Sequence, residues 1–355
     1  MAKDRIMGWY TPSSRQQFFQ TYPKVDLHRH LEGSLRLKTL VEVARQHGIT
    51  LPIAPDLASL VQMQPGDAFN SATFLSKFQI LRLFYRTEEV IRQVTREAVQ
   101  DAAADNVQYL ELRFTPVALT RVENLALCDV MDWVTDSARQ AADEFGITVR
   151  LIASVNRHES VALADEVAGL AAECREKGIV GLDLAGNEAD FSAAPFAGVF
   201  LQAKKCGLFV TVHAGEWGGA ANVREALEVL DADRIGHGVQ VLRDPAVIEL
   251  ARQRAVPFEV CLTSNAQTGV VPSLADHPLR RMVEAGLNVT LNTDDPSISG
   301  ITLGDDYRQA VETVGLTSAE LARCVLNGAN AAFLPEDERT KLVVKMAAQL
   351  AEIKA

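Results

Sequence analysis

The chain has 355 residues, 48% of them hydrophobic, with 46 acidic against 35 basic side chains and a formal charge of −11. That length exceeds the common single-domain size but lies within what one α/β barrel spans, and the apolar fraction is that of an ordinary globular protein. The acidic balance argues against a nucleic-acid partner, which calls for a basic stripe, and no run of about 18 apolar residues exists to cross a membrane as a helix.

Short runs rich in Val, Ile and Leu at both alternating positions read as parallel strands buried on two faces. In chain order they fall at 24–28, 107–114, 148–155, 179–185, 208–213, 234–237, 257–260 and 288–292. Helical patterns separate them, and eight strand–turn–helix units predict a (β/α)8 TIM-type barrel, one domain over 1–355, rather than an open sheet. The stretch between the first two strands is long and holds about three helical segments, including 74–85 and 87–106. An insertion after strand one lies at the C-terminal face of a barrel, where it can cover the mouth. Further along, Asp244-Pro245 reads as an N-cap followed by Pro at the first helical position, and Thr317 to Glu320 as a capping box. Gly178, Gly207 and Gly286 stand where helices should stop and strands begin, and the residues from Leu303 to the end read as helical throughout. Five scattered cysteines without a C-x-x-C exclude a cysteine zinc site. Free thiols, with an N-terminus lacking an apolar signal core, point to the cytoplasm.

Polar motifs sit at the ends of five of these strands: DLHRHLEG, LAGNE, VHAGEW, RIGHGV and LNTDDP. Barrel active sites are built at the C-terminal strand ends, so this co-location carries more weight than any one motif; a lone H-x-H is incidental more often than not. Residues i and i+2 share a strand face, so His28 and His30 can both turn inward. His213 closes the fifth strand and Asp294 the eighth. Three nitrogens and a carboxylate suit a single zinc, though iron, cobalt or manganese would also fit, with one position left for water. The fourth strand, IVGLDLA, has no lysine to bridge a second metal. Glu216, past the turn at Gly215, reads as a general acid/base. His237, between two glycines, reads as the group that orients, and is placed to deprotonate, the water. Asp295 points toward substrate or hydroxide, and Pro296 ends the strand. His47 reads as exposed, His158 as a residue following strand three without a role at the mouth, and His277 as a helix-start residue.

Taken together these segments, with PKVDLHRHLEGSLR and LNTDDPSISG complete, resemble the adenosine deaminase family of the amidohydrolase superfamily, from about Lys24 to about Asn330. The resemblance implies one zinc held by His28, His30, His213 and Asp294, and a small-molecule purine nucleoside or base as partner. It implies hydrolysis of the C6 amino group, with Glu216 protonating N1, His237 holding and deprotonating the water, and Asp295 bonding the attacking oxygen or N7. The Gly186 backbone would meet N3, and Phe74, Leu75 and Phe78 of SATFLSKF would cover the base. Glu32 stands where the vertebrate-type pattern HLDGA has an aspartate on the ribose 5′-hydroxyl, and Asn187 where an aspartate is common. Adenosine or 2′-deoxyadenosine is the substrate expected; HLEG also occurs in relatives that take adenine or 6-amino-6-deoxyfutalosine. A non-catalytic member would show a broken metal or acid site, and an unrelated phosphoester hydrolase a basic phosphate pocket; the sequence has neither.

Overall fold

A computed structural model describes residues 12–51 and 56–354, so the N-terminal segment read for a signal core lies mostly outside the described residues. Eight parallel strands pair in the order β1 to β8: β1 Lys24–His30, β2 Val107–Phe114, β3 Thr148–Asn156, β4 Ile179–Ala185, β5 Phe209–Ala214, β6 Arg234–His237, β7 Pro257–Val260 and β8 Asn288–Leu291. Helices cover the outside, giving the expected (β/α)8 barrel. Gly178, Gly207 and Gly286 all take left-handed backbones just before a strand, and the Asp244 and Thr317 caps form as read.

Three readings need correction. The region between β1 and β2 holds four described α-helices, at Leu37–His47, Leu57–Val61, Ser71–Leu81 and Glu88–Ala104, because Asn70 and Thr87 cap separate helices. The C-terminal stretch is not helical throughout but breaks into Leu303–Glu312, Ser318–Ala331 and Glu336–Lys354. Last, Pro296 does not end a strand. β8 stops at Leu291, and Pro296 opens the short helix Pro296–Ser299, where its missing N–H costs nothing.

The end of β8 joins β1 without a regular ladder. Asn292 Oδ1 accepts the Leu27 N–H at 2.8 Å, and a single bridge links Arg29 to Asp294. Below the mouth the barrel interior is ionic. Arg113 and Arg234, both fully buried, meet Glu259 at 2.8 and 2.6 Å. Arg234 also pairs with Glu111 and lies 3.4 Å over the Phe333 ring. Each buried charge has an opposite partner, and removing one partner from such a pair typically costs 3–5 kcal/mol. The layer gives the residues above it a rigid floor.

Candidate active site

The residues read at the strand ends converge at the C-terminal mouth. His28 and His30 project from β1 with ring centroids 5.2 Å apart, and His213 from β5 lies 4.6 and 5.4 Å from them. Asp294 arrives differently from the expectation that it closes β8, being three residues beyond that strand. The backbone draws it in: its N–H donates to His28 O and its carbonyl accepts the His30 N–H, each at 2.8 Å. Its φ of 67° is left-handed, a conformation that surrounding structure must hold in a non-glycine residue and that clusters at functional sites. His237, at the end of β6, shares that feature with φ 58°.

The ligand atoms of His28, His30, His213 and Asp294 all lie within 4.8 Å of one another. Asp294 Oδ1 is 3.3 Å from His28 Nε2 and 3.2 Å from His30 Nε2. Those are close to the edges, about 3.3 Å, of a tetrahedron with bonds of about 2.0 Å. Each outer nitrogen of two rings meets a carboxylate: His28 Nδ1 meets Glu259 at 2.8 Å and His213 Nδ1 meets Asp183 at 2.9 Å. An Nδ1–H donated to a carboxylate leaves Nε2 as a bare lone pair, the arrangement metal-binding histidines use. His28 Nε2 is indeed buried without a hydrogen-bond partner. Facing the Asp294 oxygen, it is a repulsive pair that a cation between them relieves, so the donor set fits a zinc ion.

Glu216 Oε2 lies 3.6 Å from His237 Nε2, which is 3.9 Å from Asp294 Oδ2. Burial pushes the Glu216 carboxyl well above its usual range, helped by the charges of Asp294 and Glu188. That shift favours the protonated form, which can donate. Burial and the neighbouring Asp294 and Glu32 raise Asp295 likewise. His237 is pushed well below the usual imidazole range by burial, which favours the neutral ring; burial lowers His213 to about 4. Gly33 lets Asp295 lie against the β1 loop, since a Cβ there would stand 1.9 Å from Asp295 Oδ1.

A cavity of about 300 Å³ opens above these groups. His30, His213, Glu216, His237, Asp294 and Asp295 form its floor, while His28 lies fully buried beneath. The helix Ser71–Leu81 contributes Phe74, Leu75 and Phe78 to its wall; Phe74 is buried and Leu75 is 41% exposed. Gly186 and Asn187 line it as well, and so does His158, against the reading that kept it from the mouth. Asn187 Oδ1 accepts the Ala189 N–H at 3.0 Å and so shapes its own loop. Glu32 Oε1 accepts the Thr115 N–H at 2.5 Å, while Oε2 is buried without a partner.

Sequence reasoning missed the residues that hold this set in place. Asp183 and Glu259 carry a signal: each is the one acidic residue in an apolar strand, so it must face the barrel interior. Glu188 has none. Its carboxylate accepts the N–H groups of Gly215, Glu216 and Gly218 at 2.8, 2.6 and 3.0 Å, clamping the loop that carries Glu216. His277, read as a helix-start residue, is buried and bonded to Asn265, which bonds His237.

A sequence model described as adenosine deaminase matches residues 23–349. The adenosine deaminase of Salmonella schwarzengrund (strain CVM19633) is 37% identical over 332 residues, 92% of this chain and 98% of its own. Among solved structures, the adenine deaminase of Arthrobacter aurescens superposes with a TM-score of 0.85 at 29% identity, over 94% of this chain and 100% of its own. An amidohydrolase from Burkholderia ambifaria with bound zinc reaches 0.88 at 26% identity, over 98% and 96%.

Proposed function

The chain belongs to the adenosine deaminase family and is a hydrolytic deaminase, and we propose that it converts adenosine or 2′-deoxyadenosine to the 6-oxo nucleoside and ammonia, using one zinc ion. His28, His30, His213 and Asp294 hold the metal. When bound, it lowers the pKa of a water and so supplies the nucleophile. Glu216, kept protonated by burial, gives its proton to N1 of the purine and makes C6 electrophilic. His237 and Asp295 hold the oxygen that attacks C6, in a site whose dipoles are set before reaction. The Gly186 backbone meets N3, and Phe74, Leu75 and Phe78 cover the base and exclude water.

One observation carries the choice of a nucleoside. Glu32 keeps a buried, unpartnered carboxylate oxygen beside the cavity, an acceptor suited to a sugar hydroxyl. Adenine is the second reading, supported by the likeness to the Arthrobacter enzyme. Five free cysteines support a cytoplasmic setting. The test follows loss of the adenine chromophore with adenosine, deoxyadenosine, adenine and aminodeoxyfutalosine in parallel on zinc-loaded protein. The ribosides should lead; adenine as the best substrate would overturn the reading. Glu216→Gln should keep its zinc and lose 10²–10⁴-fold in turnover, the usual worth of a positioned proton donor. A near-wild-type rate would remove Glu216 from that role.

A further inference from the structure

Three histidine rings stand within about 5 Å of one another at and just beneath the floor of the cavity, His28, His213 and His237, yet the fold treats them differently. The first two turn Nδ1 to a carboxylate and so offer a bare Nε2. His237 turns Nδ1 to the carboxamide of Asn265 instead, at 3.1 Å.

The proton positions along this branch can be followed from a group that has no choice. The Leu279 backbone N–H can only donate, and it donates to His277 Nδ1 at 3.0 Å. Burial pushes His277 down to about 3, so its ring is neutral and its single proton sits on Nε2. That N–H faces Asn265 Oδ1 at 3.2 Å. The oxygen of Asn265, a fully buried residue, is thereby taken, and its Nδ2 is the atom left to donate to His237. Rotating the amide by half a turn would set its NH2 group against the His277 N–H, donor against donor. His237 Nδ1 must therefore accept, and the proton of its neutral ring lies on Nε2, the atom facing Glu216 and Asp294.

We infer that Asn265 and His277 are positioning residues that hold His237 in its Nε2–H tautomer, so that the resting ring meets the attacking oxygen as a hydrogen-bond donor and not as a base. What occupies the space before Nε2 rests on the deaminase reading; the tautomer does not. A ring protonated at Nε2 also cannot ligate there.

The test uses zinc-loaded protein labelled with ¹⁵N-histidine, seven rings in all, with the His237 signals assigned by their loss in His237→Gln. Two-bond ¹H–¹⁵N spectra should show the proton on Nε2 in both His237 and His277. Asn265→Asp keeps the shape but offers an acceptor to Nδ1. It should move the His237 proton to Nδ1 and lower kcat at least tenfold, with KM and the one-zinc content held within twofold. His277→Gln, which retains a neutral N–H for Asn265, should stay within about threefold of wild type, whereas His277→Leu should not. A wild-type His237 protonated at Nδ1, or an Asn265→Asp protein whose His237 proton stays on Nε2, overturns the inference. The wild-type spectrum decides even if a variant does not fold, and it needs no substrate, so failure of the deaminase reading remains a separate result.

Discussion

Replacing Glu188 with glutamine tests whether the loop carrying Glu216 is held from outside the reacting centre. The carboxylate takes three backbone N–H groups, with Oε1 shared by Glu216 and Gly218 and Oε2 taken by Gly215. Glutamine has one acceptor oxygen. Set toward Glu216 and Gly218, it keeps two bonds but turns them from charge-assisted to neutral, and it points an NH2 group at the Gly215 N–H. A buried donor left unsatisfied costs about 1–3 kcal/mol, and each weakened bond roughly a further 0.5–1. The sum, about 2–5 kcal/mol, is spread over 355 residues whose unfolding entropy is near 0.7 kcal/mol per kelvin, so Tm should fall by roughly 3–7 °C. Because Gly215 directly precedes Glu216, the carboxyl proposed as proton donor should also shift, and displacements on the order of 1 Å cost about 10²-fold in rate. Scanning calorimetry reads the first effect and chromophore loss under saturating substrate the second. A variant with Tm within 1 °C and kcat within twofold of wild type would refute the clamp.

The other predictions concern metal, sugar and pH. His213→Ala removes one of four donors and should lower bound zinc well below one per chain by elemental analysis, with the barrel signature in far-UV circular dichroism retained. Glu32→Asp withdraws the unpartnered oxygen by one methylene and should cut kcat/KM for ribosides about tenfold, a hydrogen bond's worth of roughly 1–1.5 kcal/mol. Adenine turnover should be untouched, and an equal loss for both would place Glu32 away from the sugar. Burial raises the Asp306 carboxyl to about 7, so the folded state binds a proton that the unfolded chain releases at an ordinary aspartate's 3.8. Stability should therefore fall as pH rises from about 4 to about 7. Asp306→Asn should flatten that slope in denaturant titrations, and parallel curves for both proteins would exclude the effect.

Legibility of the site followed distance along the chain. His28, His30, His213, Glu216, His237 and the Asp294–Asp295 pair each belong to a short polar motif ending an apolar run, and the barrel brings all strand ends to one face. Their partners are remote. His28 meets Glu259 across 231 positions, and His213 meets Asp183 across 30. Asn265 and His277 lie on a turn of helix and a loop whose sequence shows no periodic signal, and only their packing beside β6 gives them a task. The boundaries erred for a related reason: β8 was read through Asn292 because Asn292 replaces a ladder bond with a side-chain bond to Leu27.

Sequence alone determined the eightfold strand–helix repeat, the barrel and which polar residues stand at its strand ends, because apolar runs and the motifs that close them are local properties of the chain. Tertiary structure decided which group each histidine nitrogen faces, that Asp294 enters from beyond β8 in a left-handed conformation, and that Glu216 is buried, which raises its carboxyl above the usual range. Tautomer, backbone strain and desolvation depend on groups brought together from distant strands, and those meetings exist only once the barrel is closed.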